Sequence, residues 1–422
     1  MPRRRRTLGA AVAIGFLAGA AGSATSDRSA DAARPPYVDV WVPYWGSTAA
    51  VTRFASTANG RSVTSVISPF VYSALADGSI ATVSFPSSVS AAIQQARSLG
   101  KAVIPTVADG AGTGGMAAIL ADPARRAGHI AALVDIVVGG YGGVGYDGID
   151  LDYEQFAFAD DRSTWATTMP NWVQFVKELS VALHGAGRQL YVTIPPVWSA
   201  SAPAQGNTSA NYWVYAQDQL LPFVDKLRLM VYDWSPGTPS ANAPLDVYVQ
   251  PVVAYSSRVA DAVGQPRSKL ELGVPAYGRH WKQSADGSPC PDGSLGTSSV
   301  TQVAAADLSI GWNRDTASGE LKASWTETAS GIHTWSPVVL PPYTPPSTTA
   351  GAVAAASATD TAVRMGPPPT WVTCTVRHTI WYPDEWSVGT KAQVALNAGW
   401  GGVVIWAGGY EVGATYDVLA GL

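Results

Sequence analysis

The sequence predicts an α/β chain built as a closed (β/α)8 TIM barrel, with a small α+β insertion between its seventh and eighth strands. Three observations carry this expectation. Eight short β-branched or apolar runs alternate with alanine-rich stretches of helical pattern, as parallel strands joined by helical crossovers do. No GxGxxG turn follows the first run, where an open dinucleotide-binding sheet would carry one. One spacing, between the seventh and eighth runs, exceeds 100 residues, whereas the others are mostly shorter than half of that.

The chain begins with Arg3 to Arg6, an apolar stretch from Leu8 to Gly22, and then small residues. This is a secretory signal pattern, expected over 1–25, and it falls short of the ~20 apolar residues that a membrane span needs. Residues 26–36 are small and polar and read as a tether. The strand runs are Val38–Val42, Val63–Tyr72, Ala102–Val107, Gly148–Tyr153, Gln189–Ile194, Lys226–Tyr232, Leu270–Val274 and Gly402–Trp406. Helical stretches include Ser87–Leu99, Pro123–Val138, Trp165–Leu183, Asp246–Val263 and Ser387–Ala398. The catalytic barrel is therefore expected over 37–278 and 379–422, with the insertion over 279–378. Within the insertion, Gly319–Thr326 and Thr373–Tyr382 look strand-like, and the Pro/Thr/Ala-rich segment 340–369 reads as a flexible loop.

Composition limits the function classes. Of 422 residues, 47% are apolar and 14% charged, which excludes disorder of the whole chain. The net charge is −4, and loss of the signal would remove four arginines and make it more acidic. Such a surface argues against nucleic acid, whose phosphates need a basic face, and suits a neutral polysaccharide. Sixteen Trp and seventeen Tyr can pack a large core or offer flat platforms for sugar rings. The two cysteines, Cys290 and Cys374, favour one disulfide in an exported protein. Two separately buried thiols are the alternative. A secreted monomer, extracellular or associated with a cell wall and without a membrane span once mature, is the expectation.

The fourth run carries the chemistry: Asp147-Gly148-Ile149-Asp150-Leu151-Asp152-Tyr153-Glu154. Side chains alternate along a strand, so 150, 152 and 154 share one face at spacings of ~6.6 Å. Carboxylates stacked in a low dielectric repel, so at least one should keep its proton near neutrality, as a general acid must. Glu154 is last in the run and nearest the C-terminal end of the strand, where barrel active sites lie. A solvated edge strand is disfavoured by Ile149 and Leu151. A divalent-metal site is disfavoured because no His lies nearby, and no cofactor is expected. A structural ion-pair network is disfavoured because no Lys or Arg is interleaved.

This run resembles the DxxDxDxE signature of glycoside hydrolase family 18, the chitinases and related endo-β-N-acetylglucosaminidases. Met230-Val231-Tyr232-Asp233-Trp234 resembles the family's MxYD element, and Gly273-Val274-Pro275-Ala276-Tyr277-Gly278-Arg279 resembles the GxPxYGR segment before its insertion. Gly401 to Trp406 resembles its last strand. The third strand reads Thr106-Val107-Ala108-Asp109-Gly110 where chitinases often carry Ser-x-Gly-Gly. Ile194-Pro195-Pro196 and His378-Thr379-Ile380-Trp381-Tyr382 look closer to the bacterial spore-cortex and cell-wall hydrolases.

The resemblance implies a retaining glycosidase that acts on N-acetylglucosamine polymers, with the substrate's 2-acetamido oxygen as nucleophile. Glu154 would protonate the glycosidic oxygen and later activate water. Asp152 would orient the acetamido group, Tyr232 would hydrogen-bond its carbonyl, and Asp150 would share a proton with Asp152. Asp233 would contact the same sugar, and Trp406 would floor it. Tyr44, Trp45, Trp198, Trp234 and Tyr277, also at strand ends, are candidate sugar platforms. Met230 reads as barrel packing at the site, and Asp147 as a strand anchor. A sugar-binding relative without catalysis is the alternative class, and such proteins typically lose the acid.

Overall fold

A computed structural model describes residues 37–335 and 368–422. The expected signal, the expected tether and most of the expected flexible loop lie outside the described residues. Eight parallel strands close a barrel: Val38–Pro43, Thr64–Ala74, Thr106–Asp109, Gly148–Asp152, Gln189–Ile194, Lys226–Met230, Leu270–Pro275 and Gly402–Trp406. Closure comes where the first strand pairs with both the second and the eighth. Among the described residues, no helix is long and apolar enough to cross a membrane.

Local sequence explains where elements start and stop. Asp122 caps the helix Pro123–Gly139 by accepting from the N–H groups of Ala124 and Arg125, and Pro123 sits in its first turn, where no N–H is needed. The third run is split. Ala102–Val103 pairs with the second strand, and pairing resumes only at Thr106, because Pro105 has no N–H to donate. The helix expected over 246–263 begins instead with a π-turn, Leu245–Val249, and becomes α-helical over Gln250–Ala262. Pro251 lacks the donor that would continue an α-helix back to residue 247. At Gly148, a Cβ would lie 2.4 Å from the carbonyl oxygen of Gln189. The glycine lets the fourth and fifth strands approach beside the acidic run.

The barrel interior is charged as well as apolar. Arg228, on the sixth strand, is fully buried and donates to Asp39 (2.5 Å), Asp150 (2.9 Å) and Glu271 (3.1 Å). Lys226 adds a second bond to Glu271 at 3.0 Å. Three strands other than its own thus converge on one guanidinium, whose five donors match several carboxylates at once.

The insertion is a five-stranded antiparallel sheet in the order Gly296–Thr301, Tyr277–Ser284, Thr370–Tyr382, Leu321–His333, Asn313–Arg314. The strands Tyr277–Ser284 and Thr370–Tyr382 overrun the expected limits of 279 and 378. Cys290 and Cys374 are joined by a disulfide, packed with Val376 and Ala329 beneath the sheet.

Candidate active site

The C-terminal ends of the barrel strands gather the acidic and aromatic residues. Glu154 follows the fourth strand, which ends at Asp152, and precedes a single helical turn, Gln155–Phe158. It lines a cleft of about 470 Å³ together with Met230, Tyr232, Asp233 and Trp234 from the sixth strand and its loop. Pro195, Pro196 and Trp198, beyond the fifth strand, form another wall. Among the described residues, the acids lining this cleft are Glu154 and Asp233, and no Lys or Arg lines it.

The acidic column is graded by environment. Asp150, at the bottom, is fully buried and accepts from Trp41, Thr106 and Arg228 at one oxygen (each 2.9 Å) and from Thr193 at the other (2.8 Å). Two expectations are corrected here. A cation does enter the column, from the sixth strand rather than from the run itself. Among the described residues, Asp150 is bonded to these four donors and not to Asp152. Asp152 has one carboxyl oxygen buried with no partner among the described residues. Burial, then the charges of Glu154, Asp150 and Asp109, hold it well above the usual carboxylate range. Burial likewise pushes Glu154 up to about 7, reinforced by Asp109 and Asp233. A carboxyl that keeps its proton near neutrality is what acid catalysis requires.

The remaining residues divide by position. The Asp233 backbone has φ 55°, its N–H donates to Asn242, and its carboxylate is clamped by Arg279 at 2.6 and 3.0 Å. Burial raises the Tyr232 hydroxyl well above its ordinary value, so it stays a proton donor. Gly273 lies against the Tyr232 ring, where a Cβ would come within 3.2 Å. Tyr277 is buried and meets Tyr232 edge-on at 6.2 Å, so it supports the site from behind. Trp406 meets Trp45 edge-on at 6.2 Å and Phe70 at 5.4 Å, with Tyr44 against Trp45 at 4.8 Å. This aromatic group lies at the ends of the first, second and eighth strands and is not among the residues lining the cleft beside Glu154. Asp147 accepts from the Val103 N–H at 2.7 Å and ties the third run to the fourth.

Sequence reasoning passed over several residues. Tyr212 and Tyr248 line the cleft from loop and helix positions that carry no strand-end signal. Arg228 was findable, since residues 228 and 230 share a strand face. Asp109 ends the third strand and was read only as a departure from a motif.

The family model for glycosyl hydrolases family 18 matches residues 40–411. The chain belongs to glycosyl hydrolase family 18. Its (β/α)8 barrel is shared by the solved structures it resembles. A probable endochitinase of Caenorhabditis elegans is 29% identical over 168 residues, covering 37% of this chain and 26% of that relative. The family 18 chain thus matches about a quarter of that relative's length. Among solved structures, a chitinase from Chromobacterium violaceum superposes with a TM-score of 0.62 at 19% identity, covering 91% of this chain and 98% of its own. The Bacillus cereus spore cortex-lytic enzyme SleL gives 0.62 at 17% identity, covering 92% and 74%.

Proposed function

We propose that this family 18 glycosidase is a secreted enzyme that cleaves β-linked N-acetylglucosamine polymers, chitin or peptidoglycan-type glycans, by a retaining, substrate-assisted mechanism. The carrying observation is the pairing of a raised Glu154 with the unpartnered, buried oxygen of Asp152. The first is an acid in waiting. The second is a buried acceptor that lacks a donor, which the N–H of a substrate acetamido group would supply.

A protein nucleophile is poorly supported. Asp233 is the other acid in the cleft, and its charge is already engaged by Arg279. In this reading Glu154 gives its proton to the glycosidic oxygen as the bond from C1 breaks. The substrate's acetamido oxygen closes on C1 to form an oxazolinium ion, oriented by Asp152 and by the Tyr232 hydroxyl. Water then attacks C1, the bond from C1 to the acetamido oxygen breaks and restores the acetamide, and Glu154 takes the water's proton, which restores the acid. The aromatic-rich walls of the cleft suit the faces of neutral sugars. Export is supported by the basic–apolar start of the chain and by the disulfide.

Glu154→Gln keeps the shape and removes the transferable proton. Hydrolysis of a chromogenic N-acetylglucosamine oligomer should fall by about 10²- to 10⁴-fold, with circular dichroism unchanged. Near-wild-type turnover would overturn the assignment.

A further inference from the structure

The acidic column has a neighbour that the proposed mechanism does not use. Asp109 is the last residue of the third barrel strand, and the preceding residue, Ala108, pairs with Asp152. It is 8% exposed. One of its oxygens accepts from the Ala111 N–H at 3.0 Å, within its own loop. The other accepts from the Gln155 N–H at 3.3 Å, the peptide directly after Glu154. No side-chain cation or hydroxyl is bonded to it among the described residues.

We propose that Asp109 is a positioning carboxylate of the active site, which ties down the peptide after Glu154 and places a fixed negative charge behind the acid. Resting on the reading of Glu154 as proton donor, this assigns Asp109 two separable effects. The hydrogen bond to Gln155 sets where the Glu154 carboxyl stands. The charge makes ionisation of Glu154 costlier, so the acid keeps its proton to higher pH.

The surroundings leave room for this charge to act. Facing Glu154 are Asp152 on its own strand, Asp233 beyond the sixth, and the hydroxyls of Tyr212, Tyr215 and Tyr232. Asp233 is neutralised in part by Arg279, and Arg162 acts on the Tyr212 hydroxyl. Asp160 faces Asp109 rather than Glu154. Burial pushes Asp109 itself up to about 6, so it is ionised at the pH where Glu154 must still be protonated.

The test is the pH profile of kcat/KM for wild type and Asp109→Asn on a chromogenic N-acetylglucosamine oligomer. In wild type the basic limb should fall near pH 7, where Glu154 loses its proton. In Asp109→Asn that limb should move to lower pH by at least about half a unit. Asp109→Asn keeps one carbonyl oxygen, which can still accept from Gln155 while the bond to Ala111 is lost; Asp109→Ala removes both ties and should in addition lower kcat on the acidic side of the limb. A uniform loss in Asp109→Asn with no displacement of the limb would make the residue a structural tie only and overturn the proposal. So would an unchanged profile.

Should Asp109→Asn not fold, Asp109→Ser is a second neutral variant that keeps a hydrogen-bond acceptor at this position. Its basic limb should move to lower pH in the same way, and an undisplaced limb overturns the proposal. The two readings fail separately: an active Glu154→Gln removes the acid assignment, whereas an inactive Glu154→Gln with an undisplaced Asp109→Asn limb removes only the role of Asp109.

Discussion

Glu154, Asp152 and Asp150 are three carboxyl groups on one short stretch of chain, and their surroundings give them different states. Asp150 is surrounded by donors and faces Arg228, Asp152 has a buried oxygen with no donor among the described residues, and Glu154 opens onto the cleft. The spacing of the acids was legible in the sequence, because strand alternation fixes it. Their division of labour was not, since it depends on Arg228, 78 positions from Asp150. Replacing Arg228 with Met would leave Asp39, Asp150 and Glu271 buried without their shared cation. Denaturant unfolding should show a loss of about 3–5 kcal/mol. Stability equal to wild type would mean that the cluster contributes nothing to holding the barrel.

Among the elements, the eight strands and the main helices were readable from apolar periodicity, and their cores lie where the pattern put them. The departures are local and come from proline: Pro105 interrupts the third run, and Pro251 turns the start of one helix into a π-turn. The insertion was visible as a break in rhythm. Its edges were not, because the strands Tyr277–Ser284 and Thr370–Tyr382 cross the expected boundaries without a change in composition. The same insertion is stapled by Cys290–Cys374 across a separation of 84 residues. Cys374→Ser should lower stability by about 2–4 kcal/mol, read as a reduced Tm, and reductant should bring wild type down to the same value. A Tm unaffected by both would show that the sheet holds without the bond.

In the whole molecule, the barrel brings the ends of distant strands to one rim, and the site is composed there. Trp406, at a strand end, does not line the cleft, whereas Glu154 and Tyr232, just beyond strand ends, line it and could be picked out in advance. Tyr212 and Tyr248 could not, because only tertiary folding carries them to the cleft. The central claim is that this rim cleaves glycosides whose own N-acetyl group is the nucleophile. The most direct measurement is kcat/KM on two chromogenic β-1,4-linked disaccharides that differ only at C2, one with acetamido groups and one with hydroxyls. Measurable turnover of the first and none of the second, with Glu154→Gln inactive on both, is the predicted result. Comparable turnover of the two sugars would contradict the account.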